Sequence, residues 1–183
     1  WQDGSVKLVG TLTNDSPEAV DARMLGGAYG DSAPVQKIAP WQTATFTIDT
    51  RSLDVKPGTV SFRQYRSVLG TGFADSTLTA SHRGATYVPD WSATLTAVTQ
   101  CAAGADGVVM TVGLRNDSGE TTHVVAHTPF GARDLGDVAP GGSASADIAA
   151  GALAVKGGTA TFELSRTVLG TPFTQKVTAG FEA

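Results

Sequence analysis

The sequence predicts an all-β chain built as two tandem antiparallel sandwiches, and three observations lead there. The first is a repeat: Gly58-Thr59-Val60-Ser61-Phe62-Arg63-Gln64-Tyr65-Arg66-Ser67-Val68-Leu69-Gly70-Thr71-Gly72-Phe73 recurs, ungapped, as Gly158-Thr159-Ala160-Thr161-Phe162-Glu163-Leu164-Ser165-Arg166-Thr167-Val168-Leu169-Gly170-Thr171-Pro172-Phe173, an offset of 158 − 58 = 100. Between residues 38–73 and 138–173 about 16 of 36 positions are identical, too many for two unrelated β patterns. The second is composition: the chain is rich in Gly, Thr, Ala and Val and poor in Lys, Glu and Met, which suits pleated sheets better than helices. The third is alternation of apolar and polar residues in short runs, with turn signals every 8–12 residues and no helical period.

In chain order, Gly4 to Leu12 alternates, with Val6, Leu8 and Leu12 on one face and Lys7, Val9 and Thr11 on the other. Asn14-Asp15-Ser16-Pro17 ends this strand with turn chemistry. Val20, Ala22 and Met24 alternate against Asp21, Arg23 and Leu25 as far as the Gly26-Gly27 break. A short segment from Val35 to Ile38 leads into the Ala39-Pro40-Trp41-Gln42 turn, and Ala44, Phe46 and Ile48 form the inner face of the next strand. After Lys56-Pro57-Gly58 comes the strongest strand, Val60 to Arg66, with Val60 and Phe62 inward. Val68 to Gly72 turns the chain into a last strand, Ala74 to His82. Arg83 to Asp90 reads as a connector, so the domains are residues 1–82 and 91–183 with a linker at 83–90.

The second copy follows the first. Val108, Met110, Val112 and Leu114 match the first strand, and Asn116-Asp117-Ser118 repeats Asn14-Asp15-Ser16 at an offset of 116 − 14 = 102. Val124, Ala126 and Thr128 match the second strand. The expected cores are Leu8, Leu12, Met24, Phe46, Ile48, Phe62 and Leu78 in one unit, and Met110, Leu114, Val124, Ile148, Phe162, Leu164 and Val177 in the other. Unit two alone has an opening strand, Trp91 to Gln100. Unit one lacks it, so either the chain boundary cuts a strand away or the unit takes one from elsewhere, since open sheet edges are usually covered. Six or seven strands per unit point to sandwiches of the immunoglobulin/fibronectin-III type, with a closed barrel as the alternative.

Charge and size exclude several classes. A net charge of −4 without a basic run argues against nucleic acid, and no apolar run approaches the ~18 residues of a membrane helix. Cys101 is the sole cysteine, which rules out an internal disulfide and a thiolate cluster. It is read either as a small residue near a strand end or as a thiol that pairs outside the chain. The start at Trp1, without Met or signal peptide, suggests a processed or excised piece of a longer polypeptide.

No nucleophile elbow, phosphate loop, zincin helix or zinc-spaced cysteine pair is present, so no enzyme, cofactor or metal site is expected. His123 and His127 fall on one face of a strand but about 13 Å apart, too far to share an ion. Asp15/Asp117 and Glu18/Glu120 flank turns. Asn14 and Asn116 formally match a glycosylation sequon. Arg66 and Arg166 extend the Phe62 and Phe162 faces, where an arginine covers the end of a core and pairs with a carboxylate. Trp41, Tyr65 and Arg63 are the candidate ligand-binding residues, a style of residue suited to sugars. Their unit-two counterparts are Gly141, Ser165 and Glu163, so such a surface would belong to unit one alone. Trp1 and Trp91 are expected to pack on their own sandwiches.

The run Trp91-Ser-Ala-Thr-Leu-Thr-Ala-Val-Thr-Gln-Cys-Ala-Ala-Gly, then Val108-Val-Met-Thr-Val-Gly-Leu-Arg-Asn-Asp, His127-Thr-Pro-Phe-Gly and Val138-Ala-Pro-Gly-Gly-Ser-Ala resembles the immunoglobulin-like tandem repeats found toward the C-termini of secreted actinobacterial hydrolases and surface proteins. The resemblance covers most of residues 91–160 and, more weakly, unit one. It implies a secreted or cell-surface bacterial setting and a supporting role. The expected function is a non-catalytic tandem module that spaces or docks a larger secreted or cell-surface protein. The alternatives are a self-assembling filament or adhesin subunit that uses strand addition, and a carbohydrate-binding module. The expected partners are the rest of a larger secreted polypeptide or neighbouring copies, with polysaccharide as the third option.

Overall fold

The computed structural model describes residues 4–68, 71–101 and 107–183. It divides into two compact units, which separate between Tyr87 and Val88. Every strand pairing in both units is antiparallel.

Unit one contains β1 (Lys7–Thr13), β2 (Val20–Leu25), β3 (Gln36–Ile38), β4 (Thr43–Asp49), β5 (Asp54–Val55), β6 (Gly58–Val68), β7 (Thr71–His82) and β8 (Ala85–Thr86), with one turn of 3-10 helix at Gly27–Tyr29. One face of its sandwich is the four-stranded sheet β3-β2-β6-β7 and the other is the pair β1-β4. The period-2 pattern works as expected: Val6, Leu8, Leu12, Val20, Ala22, Met24, Phe46, Ile48, Val60 and Phe62 are buried between the sheets. Phe46 meets Phe62 edge-on, with ring centroids 5.6 Å apart.

Unit two contains β9 (Ala93–Cys101), β10 (Val108–Asn116), β11 (Thr122–Thr128), β12 (Gly131–Val138), β13 (Ser143–Ala149), β14 (Gly158–Val168) and β15 (Thr171–Phe181). Here the sandwich is a three-stranded sheet, β13-β10-β9, against a four-stranded one, β12-β11-β14-β15. Its core holds Met110, Val112, Leu114, Val124, Ala126, Ile148, Phe162 and Leu164, and Trp91, Ala93, Leu95, Ala97 and Val177 pack half-buried against it. β14 and β15 are joined by Leu169-Gly170, with φ of 47° and 77°, a two-residue hairpin turn whose twist matches the strands.

Three expectations are corrected. Leu78, expected in the core, is 48% exposed although it lies opposite the buried Phe62 in the β6–β7 ladder. It faces the same side as Phe62, but among the described residues no strand covers that end of the sheet. Part of the expected connector is structured: Ala85–Thr86 pairs with Asp54–Val55, and the Tyr87 amide donates to the Leu53 carbonyl at 2.7 Å. Tyr87 is buried as a result. The strands β6 and β7 run closer to their turn than predicted, with Val68 paired to Thr71. Trp1, and the Leu69-Gly70 pair of that turn, lie outside the described residues.

Candidate functional site

The two units share a ladder built from the Asn-Asp-Ser repeat. Asn14 is 3% exposed, and its amide nitrogen donates to the carbonyls of Glu18 at 2.7 Å and of Ile38 and Ala39 at 3.1 Å. Its side-chain oxygen accepts from the Ser16 amide and hydroxyl. Asn116 does the same with Glu120, Val138 and Ser118. The asparagine, not the neighbouring aspartate, therefore holds the turn, and its buried, fully engaged amide has no room for a glycan in the folded chain.

From this anchor β1 and β10 run in equivalent registers. The Asn14 amide donates to the Gln42 carbonyl and the Trp41 amide to the Asn14 carbonyl, while at the other end Val6 exchanges the same two kinds of bond with Ser52 and Thr50. Even-numbered residues of β1 thus bond to β4. Alternation turns the N–H and C=O groups of Val9, Thr11 and Thr13 to the opposite side. In unit two the matching odd residues Thr111, Gly113 and Arg115 face Val98, Thr96 and Thr94 of β9. Among the described residues no strand occupies that position beside β1.

The consequence reaches the next sheet. In unit two β9 reaches β15 across the edge of the sandwich, and Val177 and Ala179 are half-buried there. Their counterparts by ladder position, Leu78 and Ala80, are exposed. The arginines differ in the same sense. Arg166 lies over the Trp91 ring at 4.4 Å, donates to the Asp90 carbonyl at 2.8 Å and to the Thr122 hydroxyl at 2.6 Å, and is paired with Glu120. Its side chain is 4% exposed. Arg66 keeps the carboxylate partner, Glu18 at 3.5 Å, but its side chain is 43% exposed. The two arginines meet carboxylates as their positions predicted, and Arg166 lies beneath an indole ring.

The residues singled out as ligand-binding candidates do not form one cluster. Arg63 stacks on the Tyr65 ring at 5.5 Å on the outer face of β6. Trp41 is 64% exposed in the β3–β4 turn, with φ of 62°, and no ring contact joins it to the other two among the described residues. The histidines face outward. His123 sits between Asp137 (Nδ1 to Oδ1, 2.9 Å) and Asp134 (Nε2 to Oδ1, 3.3 Å), and His127 lies 4.0 Å from Glu163. Ser165 is the cross-strand neighbour of His123, in line with Asp137, so three adjacent strands align a serine, a histidine and an aspartate. The imidazole nitrogen that a nucleophile would need is directed at Asp134 instead. Among the described residues no group of three or more His, Cys, Asp or Glu is placed to hold a metal ion.

Sequence reasoning did not single out the residues in which the two units differ. Leu78 and Arg66 looked like ordinary core and core-edge residues, because nothing in a single sequence says which end of a sheet is covered. The signal lies in the comparison of the two copies: Trp91 sits on Arg166, and Val177 is half-buried where Leu78 is exposed.

No protein-family model and no curated protein matches the chain. Among solved structures it is similar to the CupB2 chaperone of Pseudomonas aeruginosa, at 10% identity, over 93% of this chain and 91% of that one, with a TM-score of 0.27. A likeness of that size transfers neither fold detail nor activity. No helix among the described residues is long and apolar enough to cross a membrane.

Proposed function

We infer that this chain is a non-catalytic docking module of a secreted or cell-surface protein, with the outer edge of β1 as its docking surface. One observation carries the reading: among the described residues no strand pairs with the outer side of β1, the side whose counterpart on β10 is paired with β9. Main-chain groups supply affinity at such an edge and side-chain pockets supply selectivity. The uncovered Leu78 and Ala80 lie where an added strand would pack. The engagement of His123 by Asp134 and Asp137 supports a binding role over acyl transfer. The extracellular setting is the one implied by the resemblance of residues 91–160.

A photoreactive amino acid at Val9, whose side chain is 64% exposed, tests this in producing cells. Cross-links concentrated on one peptide from Val9, and absent from the same probe at Lys176 on the outer face of unit two, are expected. Equal labelling from both positions, or none from Val9, removes the docking reading.

A further inference from the structure

We propose that the outer face of the four-stranded sheet of unit two binds a neutral, hydroxyl-rich saccharide in the shallow cavity at Ser165. The site belongs to the other unit from the docking edge and stands without that reading. One row of residues crosses the four strands there. Asp137 on β12 faces His123 on β11, His123 faces Ser165 on β14, and Ser165 faces Thr174 on β15, so their side chains share one face. Neighbouring strands lie about 4.8 Å apart, and the row spans roughly 14 Å. All four residues line a cavity of about 470 Å³, together with Thr167 and Pro172, a volume ordinary for small-molecule sites.

Unit one shows why the face opens at this point. The repeat places Tyr65 where unit two has Ser165, at an offset of 165 − 65 = 100, and Tyr65 faces Asp21, which in turn faces Lys37. The phenol ring lies under Arg63, whose guanidinium carbon is 5.5 Å from the ring centroid. Serine leaves that volume empty. The groups around it set the ligand class. Among the described residues the hydroxyls of Ser165, Thr167 and Thr174 have no hydrogen-bond partner, and each can both donate and accept. Asp137 gives Oδ1 to His123 at 2.9 Å, which leaves Oδ2 to accept, and His123 is pinned between Asp137 and Asp134 as a fixed wall. Arg166 also borders the cavity, but its guanidinium is turned to Glu120, Thr122 and the Asp90 carbonyl, and its side chain is 4% exposed. No lining cation is free to hold an acid group, whereas the hydroxyls of a sugar match both the donors and the acceptors. Pro172 supplies an apolar edge for the C–H face of the ring.

The test titrates the full chain with cellotetraose, mannotetraose, galactotetraose and chitotetraose, each to about 10 mM, and follows the backbone amides by NMR. At least one probe is expected to shift the His123, Asp137, Ser165 and Thr174 amides saturably, with a dissociation constant on the order of 1 mM. Ser165→Tyr installs the residue that unit one carries and should weaken binding about tenfold or more. Thr174→Val removes one hydroxyl at nearly constant shape and should weaken it about threefold or more, so a folding defect in Ser165→Tyr does not blunt the test. Thr178→Val, on the same face of β15 but outside the cavity, should leave binding unchanged. No saturable shift with any of the four probes, shifts confined to other residues, or binding that Ser165→Tyr and Thr174→Val both leave intact overturns the proposal. Tighter binding of tetragalacturonate, whose carboxylates meet no free cation here, overturns it as well.

Discussion

Replacing Arg166 and Arg66 by alanine should have very different costs, although the two occupy the same position of the repeat. Arg166 has 4% of its side chain exposed and is bonded to Glu120, Thr122 and the Asp90 carbonyl beneath the Trp91 ring. Truncation removes the guanidinium from the Glu120 carboxylate, 19% exposed, and a donor from the Thr122 hydroxyl, 3% exposed. Removing one partner of a buried charge pair costs about 3–5 kcal/mol. Each kcal/mol moves the midpoint of a domain this size by about 4–8 °C, so unit two should lose at least about 12 °C. Arg66 is 43% exposed and Glu18 is 71% exposed, and breaking such a pair costs at most about 1 kcal/mol. Urea titration with pulsed hydrogen exchange, read separately for residues 4–87 and 88–183, measures each unit in the intact chain. Arg166→Lys should recover little, since an ammonium cannot reach three partners with a planar fork. Equal losses from both alanine variants, or less than about 1 kcal/mol from Arg166→Ala, would refute the argument that β9 and its leading tryptophan seal this arginine.

Three other outcomes follow from the same structure. Asn14→Ala and Asn116→Ala should each destabilise their own unit by about 1–3 kcal/mol, measured by denaturant titration, because several buried main-chain groups lose their partner. A Cβ at Gly10 would lie 2.6 Å from Phe62 Cζ and 2.8 Å from Met24 Sδ, so Gly10→Val should cost about 1–3 kcal/mol. Adding Met24→Ala to it reproduces the Val112/Ala126 pairing of unit two, and a double-mutant cycle should show favourable coupling of at least about 0.5 kcal/mol; strict additivity would contradict the packing. The Asp54 carboxyl is held below its ordinary range, first by the hydrogen bond to Lys56 and then by that from Thr86. Its contribution to the β5–β8 pair is therefore complete above the ordinary carboxylate pKa and fades as pH falls through the lowered one. The protection factor of the Tyr87 amide, with intrinsic exchange divided out, should fall across that acidic window, and Asp54→Asn should remove that fall.

The turns and the inner faces of the strands were legible because both are local. Val6, Leu8 and Leu12 alternate with polar residues, and one period-2 run suffices to place them inward once any sheet covers that face. The Asn14 and Asn116 turns were legible as turns, but the residue that does the work was not. Asp and Asn both favour such positions, and only the fold brings the Ile38, Ala39 and Val138 carbonyls to the asparagine amide. The β5–β8 pair escaped notice because two-residue strands carry no period. The set Trp41, Tyr65 and Arg63 was assembled from residue type alone, and the fold puts Arg63 on Tyr65 while Trp41 stands apart in a turn.

The duplication and the strand order of residue types were determined by the amino-acid sequence, since each is a statement about pattern along the chain. Which groups lie at a sheet edge was decided only in three dimensions. Val9 lies on β1 and Leu78 on β7, far apart in sequence, and antiparallel pairing with β4 and with β6 puts each on an outer strand of its own sheet. The physical reason is that a strand's pattern encodes the face it buries, whereas its edge is defined by what lies alongside.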